Sequence, residues 1–200
     1  MHTPDFGDAI RGKLFDERVI SLFGPLTDAA VSEVAAQLWT LDATGDAPVT
    51  MLLSCRGGSV RAVLALIDAL DVVEVAVHAT CLGALEGPPI GLLAGCSMRR
   101  AAPSTRFTLR DDEASIDGSY RSLQQSADVL FAERLELLER IVASTKGRRS
   151  LGDLVADFEK GRTLSAEEAV AYGLIDEVTP ETDRIVALRR QNPGIGFKKR

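Results

Sequence analysis

The side chains best able to do nucleophilic or acid–base chemistry here are three cysteines, Cys55, Cys81 and Cys96, and two histidines, His2 and His78. A Cys–His dyad needs the imidazole within hydrogen-bond reach of the thiol whose proton it takes. Cys81 and His78 are close in sequence, but three residues apart on one strand they point to opposite faces. Their types favour a buried small thiol and a satisfied core histidine. His2 stands in a polar start and is set aside. Ser59 follows two glycines in Cys55-Arg56-Gly57-Gly58-Ser59. It reads as a helix N-cap, with a nucleophile as the alternative. An odd number of cysteines without a Cys-x-x-Cys pair reads as reduced thiols rather than a disulfide frame or a zinc site.

These residues must be positioned by an alternation of strands and helices. Residues 18–23 (RVISLF) are a short strand closed by Gly24-Pro25. Asp28 is placed to cap a helix reaching about Ala43, with Val31, Val34, Leu38 and Leu41 at helical spacing. Residues 49–53 and 72–81 have the apolar character of buried strands. Between them Val60, Val63, Leu64, Ile67 and Leu70 mark a helix. Residues 83–96 read as a loop and a short helix, and 107–109 as a brief strand. Residues 120–145 form the longest helical stretch, 165–172 a last helix stopped by Gly173, and 174–178 a strand end. Strand alternating with helix implies an α/β domain with crossover connections.

Composition limits what this domain does. Of 200 residues, 46% are apolar and 26% charged, enough for a real core. A net charge of −6 argues against a general nucleic-acid binder, which would show a basic stripe. No apolar run reaches the ~18 residues of a membrane span. The start has no signal-peptide core, so a cytoplasmic protein is expected.

Four segments in order resemble the ClpP/crotonase superfamily, and the ClpP proteolytic subunits within it. They are residues 17–26 (ERVISLFGPL), 49–60 (VTMLLSCRGGSV), 82–94, and 164–178 (LSAEEAVAYGLIDEV). The resemblance implies an α/β fold of repeated ββα units in a spiral, with a long handle helix over 119–146. On this reading residues 1–13 are a flexible arm, 14–180 the ClpP-like domain, and 181–200 a basic tail. It implies no cofactor.

ClpP-like peptidases use a Ser-His-Asp triad, and the resemblance sets Gly87, Arg110 and Gly161 at its three positions. Glycine offers no nucleophile, and a guanidinium stays protonated and cannot act as general base. Asp157 is the acid nearest Gly161, at the wrong spacing. The family oxyanion hole takes one N–H from the Gly57-Gly58 turn and one from the position of Pro88, which has none. Glu86 and Arg110 flank this vacated site and are expected to pair inside it.

The resemblance also implies assembly. The expected function is a catalytically silent, structural or regulatory subunit in a homo-oligomeric ring, or in one mixed with active ClpP subunits, with a Clp ATPase as further partner. Glu159 and Lys160 match a pair implicated in ring–ring contact, with a solvated helix end as the plainer reading. The acids Asp111, Asp112, Glu113 and Asp117 would repel one another across a symmetric interface and hint at a different subunit. Ile195-Gly196-Phe197 matches the tripeptide type by which family ATPases dock. Two alternatives stay open: an acyl-CoA-binding enzyme of the crotonase branch with Glu86 as base, and an active serine endopeptidase with a misassigned site.

Overall fold

Alternation of buried and outward residues along β-branched runs builds one sheet with helices on one of its faces. The computed structural model describes residues 6–111 and 119–180. Helix α1 (Phe6–Asp16) leads into β1 (Val19–Phe23), α2 (Asp28–Ala43), β2 (Val49–Arg56), α3 (Val60–Asp71) and β3 (Val77–Glu86). A 3-10 helix (Pro88–Gly95), β4 (Met98–Ala101) and β5 (Arg106–Leu109) follow. The chain continues through α4 (Tyr120–Ser144), α5 (Leu151–Glu159), β6 (Arg162–Ser165), α6 (Ala166–Tyr172) and β7 (Glu177–Val178).

Several of these elements differ from the sequence expectations. The first thirteen residues were expected to be a loose arm, yet Phe6–Asp16 is helical. The cap of α2 is Thr27, whose hydroxyl accepts from the Ala30 N–H at 3.3 Å, and Asp28 is the first helical residue. The strand expected over 72–81 begins at Val77 and runs on to Glu86, through the stretch read as a loop. β4 (MRRA) is too polar to announce itself, because its burial alternates and its arginines are paired. Helix α5 is short, and its start depends on a capping box between Ser150 and Asp153.

Strand order is β1-β2-β3-β4-β7, all parallel. β5 pairs with the far half of β3, and β6 lies antiparallel on β5. The branch occurs where the β2–β3 register slips: Leu53 faces Cys81, but Cys55 faces Leu85. Two extra residues of β3 fit there because Gly83 takes φ +68°. Before the slip β3 pairs with β4, and after it with β5.

On the covered face, Val49, Met51, Leu53 and Cys55 of β2 meet α2 and α3 in one core. The 3-10 helix packs so closely that a Cβ on Gly91 would lie 2.3 Å from Leu137 Cδ1 of α4. Ion pairs tie the C-terminal half of α4: Glu133 to Arg61 at 2.8 Å, Arg134 to Asp111 at 2.8 Å, and Arg140 to Asp71. Trp39 of α2 and Val72 beyond α3 remain 52% and 66% exposed.

One buried arginine joins the ends of α4 and α6 and the residue before β7 to β4. Arg99 of β4 is 4% exposed. Its Nε and Nη2 donate to Asp176 at 3.1 and 2.8 Å, while Nη1 donates to the carbonyls of Ser144 and Gly173 at 3.0 and 3.2 Å. Those carbonyls close α4 and α6, so the cation meets two helix C-termini as well as a carboxylate. Hydrogen bonds from Arg99 hold the Asp176 carboxyl well below its usual range.

Asp176→Ala strands this guanidinium, and the expected cost is about 3–5 kcal/mol, read as a lower urea midpoint. Because the folded pKa of Asp176 is depressed, its contribution is complete above the unfolded value of ~4 and disappears as pH falls through the folded one. The variant should therefore lose part of the acid sensitivity of the parent.

Candidate active site

The C-terminal ends of the central parallel strands bring the predicted residues to one corner, the edge at which α/β sheets place ligands. Arg56 ends β2 and Glu86 ends β3, and they are register partners. Glu86 is in turn the partner of Thr108, and Thr108 of Thr163 on β6. The two threonine hydroxyls hydrogen-bond at 3.2 Å. Arg110 follows β5, whose register with β6 ends at Leu109 facing Arg162.

Gly87 joins this corner through its N–H, which donates to the Thr108 carbonyl at 2.9 Å. Its backbone has φ +67° and ψ −145°, a region open to glycine and strained for any residue with a Cβ. Pro88 comes next as the first residue of the 3-10 helix, a position that suits its fixed φ and needs no N–H. Glu86 lies between two guanidiniums: Arg110 Nη2 is 3.7 Å from its Oε2, and Arg56 Nε is 3.9 Å from its Oε1. The side chains of Arg56, Glu86 and Arg110 are 76%, 26% and 38% exposed.

The glycine turn faces the same end of the sheet. The Gly57 carbonyl accepts from Leu26 N at 3.0 Å. Gly58 bridges Leu26 so closely that a Cβ there would lie 2.7 Å from Leu26 Cβ. Ser59 is an N-cap, its Oγ accepting from the Ala62 N–H at 3.0 Å, and that bond occupies it in holding α3.

Asp157 is engaged elsewhere. It accepts from Tyr172 Oη at 2.8 Å and from Arg162 at 3.1 Å. The Tyr172 ring stacks on Arg149, 4.3 Å from its centroid, and burial beside Asp157 pushes its hydroxyl pKa up. Gly161 turns the chain from α5 into β6 at φ +67°, with open space where a side chain would be. Glu159 ends α5 and Lys160 is its C-cap, both exposed. The charge of Glu159 reaches Arg134 of α4. Asp112, Glu113 and Asp117, and Ile195, Gly196 and Phe197, lie outside the described residues.

Sequence reasoning named Arg56 only as part of the turn and missed Thr108 and Thr163. The signal for Arg56 was available: it sits one step beyond the inward Cys55, at the strand end, and so faces outward.

The thiol–imidazole pair does not form. Cys81 is buried in the covered face, and His78 faces the other way, between Thr50 and Met98. Burial pushes the Cys55 thiol up to about 11 and the Cys96 thiol up to about 12, and raises Cys81 as well. Each is held as a neutral thiol. Among the described residues no group of three or more His, Cys, Asp or Glu is placed to hold a metal, and no helix is long and apolar enough to cross a membrane. All three thiols should stay unmodified by iodoacetamide at pH 8 in the folded protein and react on denaturation, as intact mass will record. Rapid native labelling of Cys81 would contradict this assignment.

Comparison with known proteins agrees with this architecture. The family model described as Clp protease matches residues 5–182. A chain from Thermobifida fusca named ATP-dependent Clp protease proteolytic subunit 1 is 30% identical over 172 residues, 84% of this chain and 77% of that one. Proteolytic subunit 3 of Nocardia farcinica is 31% identical, covering 83% of this chain and 76% of its own. Proteolytic subunit 2 of Corynebacterium jeikeium is 32% identical over 170 residues, 83% and 80% of the two. A single sheet closed by a long helix, matched over nearly its whole described length, thus belongs to the Clp protease family.

Proposed function

We propose that this chain is a non-catalytic subunit of a Clp-type proteolytic assembly, structural or regulatory in role. The observation that supports the reading is that Gly87 and Pro88 stand where β3 turns into the 3-10 helix. At the position to which the resemblance assigns the nucleophile, the chain adopts φ +67° and ψ −145°, and Pro88 follows without an N–H. On that assignment Gly87 has no side chain to act as a nucleophile and Pro88 no N–H to donate to an oxyanion. Arg110 and Gly161 supply neither base nor orienting acid. The partners proposed are further copies of this chain or active ClpP subunits in a ring, with a Clp ATPase, in the cytoplasm. Glu159, Lys160 and the long α4 helix are the candidate contacts.

Two measurements test this. Native mass spectrometry of the purified chain, alone and co-expressed with an active ClpP from the same genome, should give rings of this chain or mixed rings. Trimers or hexamers that ignore ClpP would point to the crotonase branch. Gly87→Ser should not restore a serine hydrolase. It should leave the protein unlabelled by a fluorophosphonate probe and destabilised by about 1–3 kcal/mol from backbone strain. Labelling of the parent chain itself would overturn the silent reading.

A further inference from the structure

We propose that the free edge of β1 binds residues 185–188 from the tail of a second copy of this chain, which add to the sheet as a further strand. The inference deepens the assembly of copies proposed above and rests on it.

β1 stands at one end of the sheet, with β2 its only strand partner among the described residues. Thr50 N–H donates to the Arg18 carbonyl and Gly24 N–H to the Ser54 carbonyl, both at 2.9 Å. In a parallel ladder alternate residues turn both backbone groups to the same side. Ile20 and Leu22 therefore serve β2, while Val19, Ser21 and Phe23 turn their N–H and C=O outward. Such a row is a template for another strand, which proteins blunt with charges, proline or a bulge. β1 (VISLF) has no charge or proline, its register with β2 is unbroken, and Phe23 is 57% exposed. A cavity of about 220 Å³ opens against this edge, lined by Arg11 of α1, Val19, Ser21 and Phe23 of β1, and Ala30 and Val34 of α2. Its apolar part seats the alternate side chains of an added strand. Because α1 and α2 both line it, it takes a lone extended segment. A second β1 would bring its own helices into the same space.

The tail supplies that segment. Residues 181–200 are the longest stretch outside the described residues, and Ile185-Val186-Ala187-Leu188 is their apolar run, opened by two β-branched residues. Arg184 and Arg189 bracket the run, and the tail holds six Lys or Arg against two acids in a chain of net charge −6. Exposed acids stand around the edge, Asp16 before β1 and Asp28 and Glu33 after it. Length makes the donor another copy. β7, near which the described chain ends, lies at the opposite end of the sheet from β1. Reaching the outer side of β1 takes about five strand spacings, ~24 Å, and the steps from Pro180 to Ile185 span at most ~18 Å. A donor edge meeting an acceptor edge is a head-to-tail contact, which builds a ring where the rotation closes.

Hydrogen exchange of the full chain, read amide by amide beside native mass spectrometry, tests the assignment. In the assembled chain the Val19, Ser21 and Phe23 amides should exchange as slowly as those of Ile20 and Leu22. Ile185→Asp with Val186→Asp should speed the three outward amides about tenfold or more and leave Ile20 and Leu22 slow, the latter showing that the sheet is intact. Fast outward amides in an assembled parent would overturn the inference and leave the assembly standing. Outward amides that stay slow in the tail variant would overturn it too, because something other than the tail then covers the edge. Slow outward amides in a monomer would rule out the second copy as donor. A parent that stays monomeric with fast outward amides would sink the assembly reading, and the inference with it.

Discussion

A single buried guanidinium ties the ends of α4 and α6 and the start of β7 to β4. Arg99 would be costly alone in the core, and it is tolerated because every partner it finds is itself a loose end. Asp176 precedes the terminal strand, and the carbonyls of Ser144 and Gly173 close two helices. Satisfying one charge therefore fixes β7, the end of α4 and the end of α6 relative to β4. With those ends fixed, α4 lies against the 3-10 helix, and the 3-10 helix sets where Gly87 and Pro88 stand.

The second constraint is the slip in β3. A strand that pairs with β4 in its first half and β5 in its second must change direction between them, and the extra residues around Gly83 accommodate that change. The branch gathers the ends of β2, β3 and β5 at one corner. There Gly87 donates to Thr108 of β5, and Thr108 faces Thr163 of β6.

Much of this was legible in the chain. The apolar runs of β1 and β2 and the helical spacing of α2 and α3 follow from patterning alone. Ser59 was readable as a cap because a hydroxyl after two glycines, before an apolar helix, satisfies an orphan N–H. The elements that escaped notice share a cause. β4 carries two arginines that look solvent-bound until Asp176 and Glu177, nearly eighty residues on, pair with them. α5 owes its start to a local capping box, and β6 is short and half exposed. The pairing of Arg56 with Glu86 depends on the register slip, which no local signal announces.

The protein's one tryptophan is Trp39, and it stands at the surface of α2 rather than in the core. With about half its surface covered, its emission is that of a partly hydrated indole while the fold is intact. Denaturation uncovers the rest of the ring and moves the emission to the red. Anything that settles over α2 and the exposed Val72 beside it removes water from the ring and moves the emission to the blue. The molecule thus carries an optical probe that shifts one way on unfolding and the other way in company.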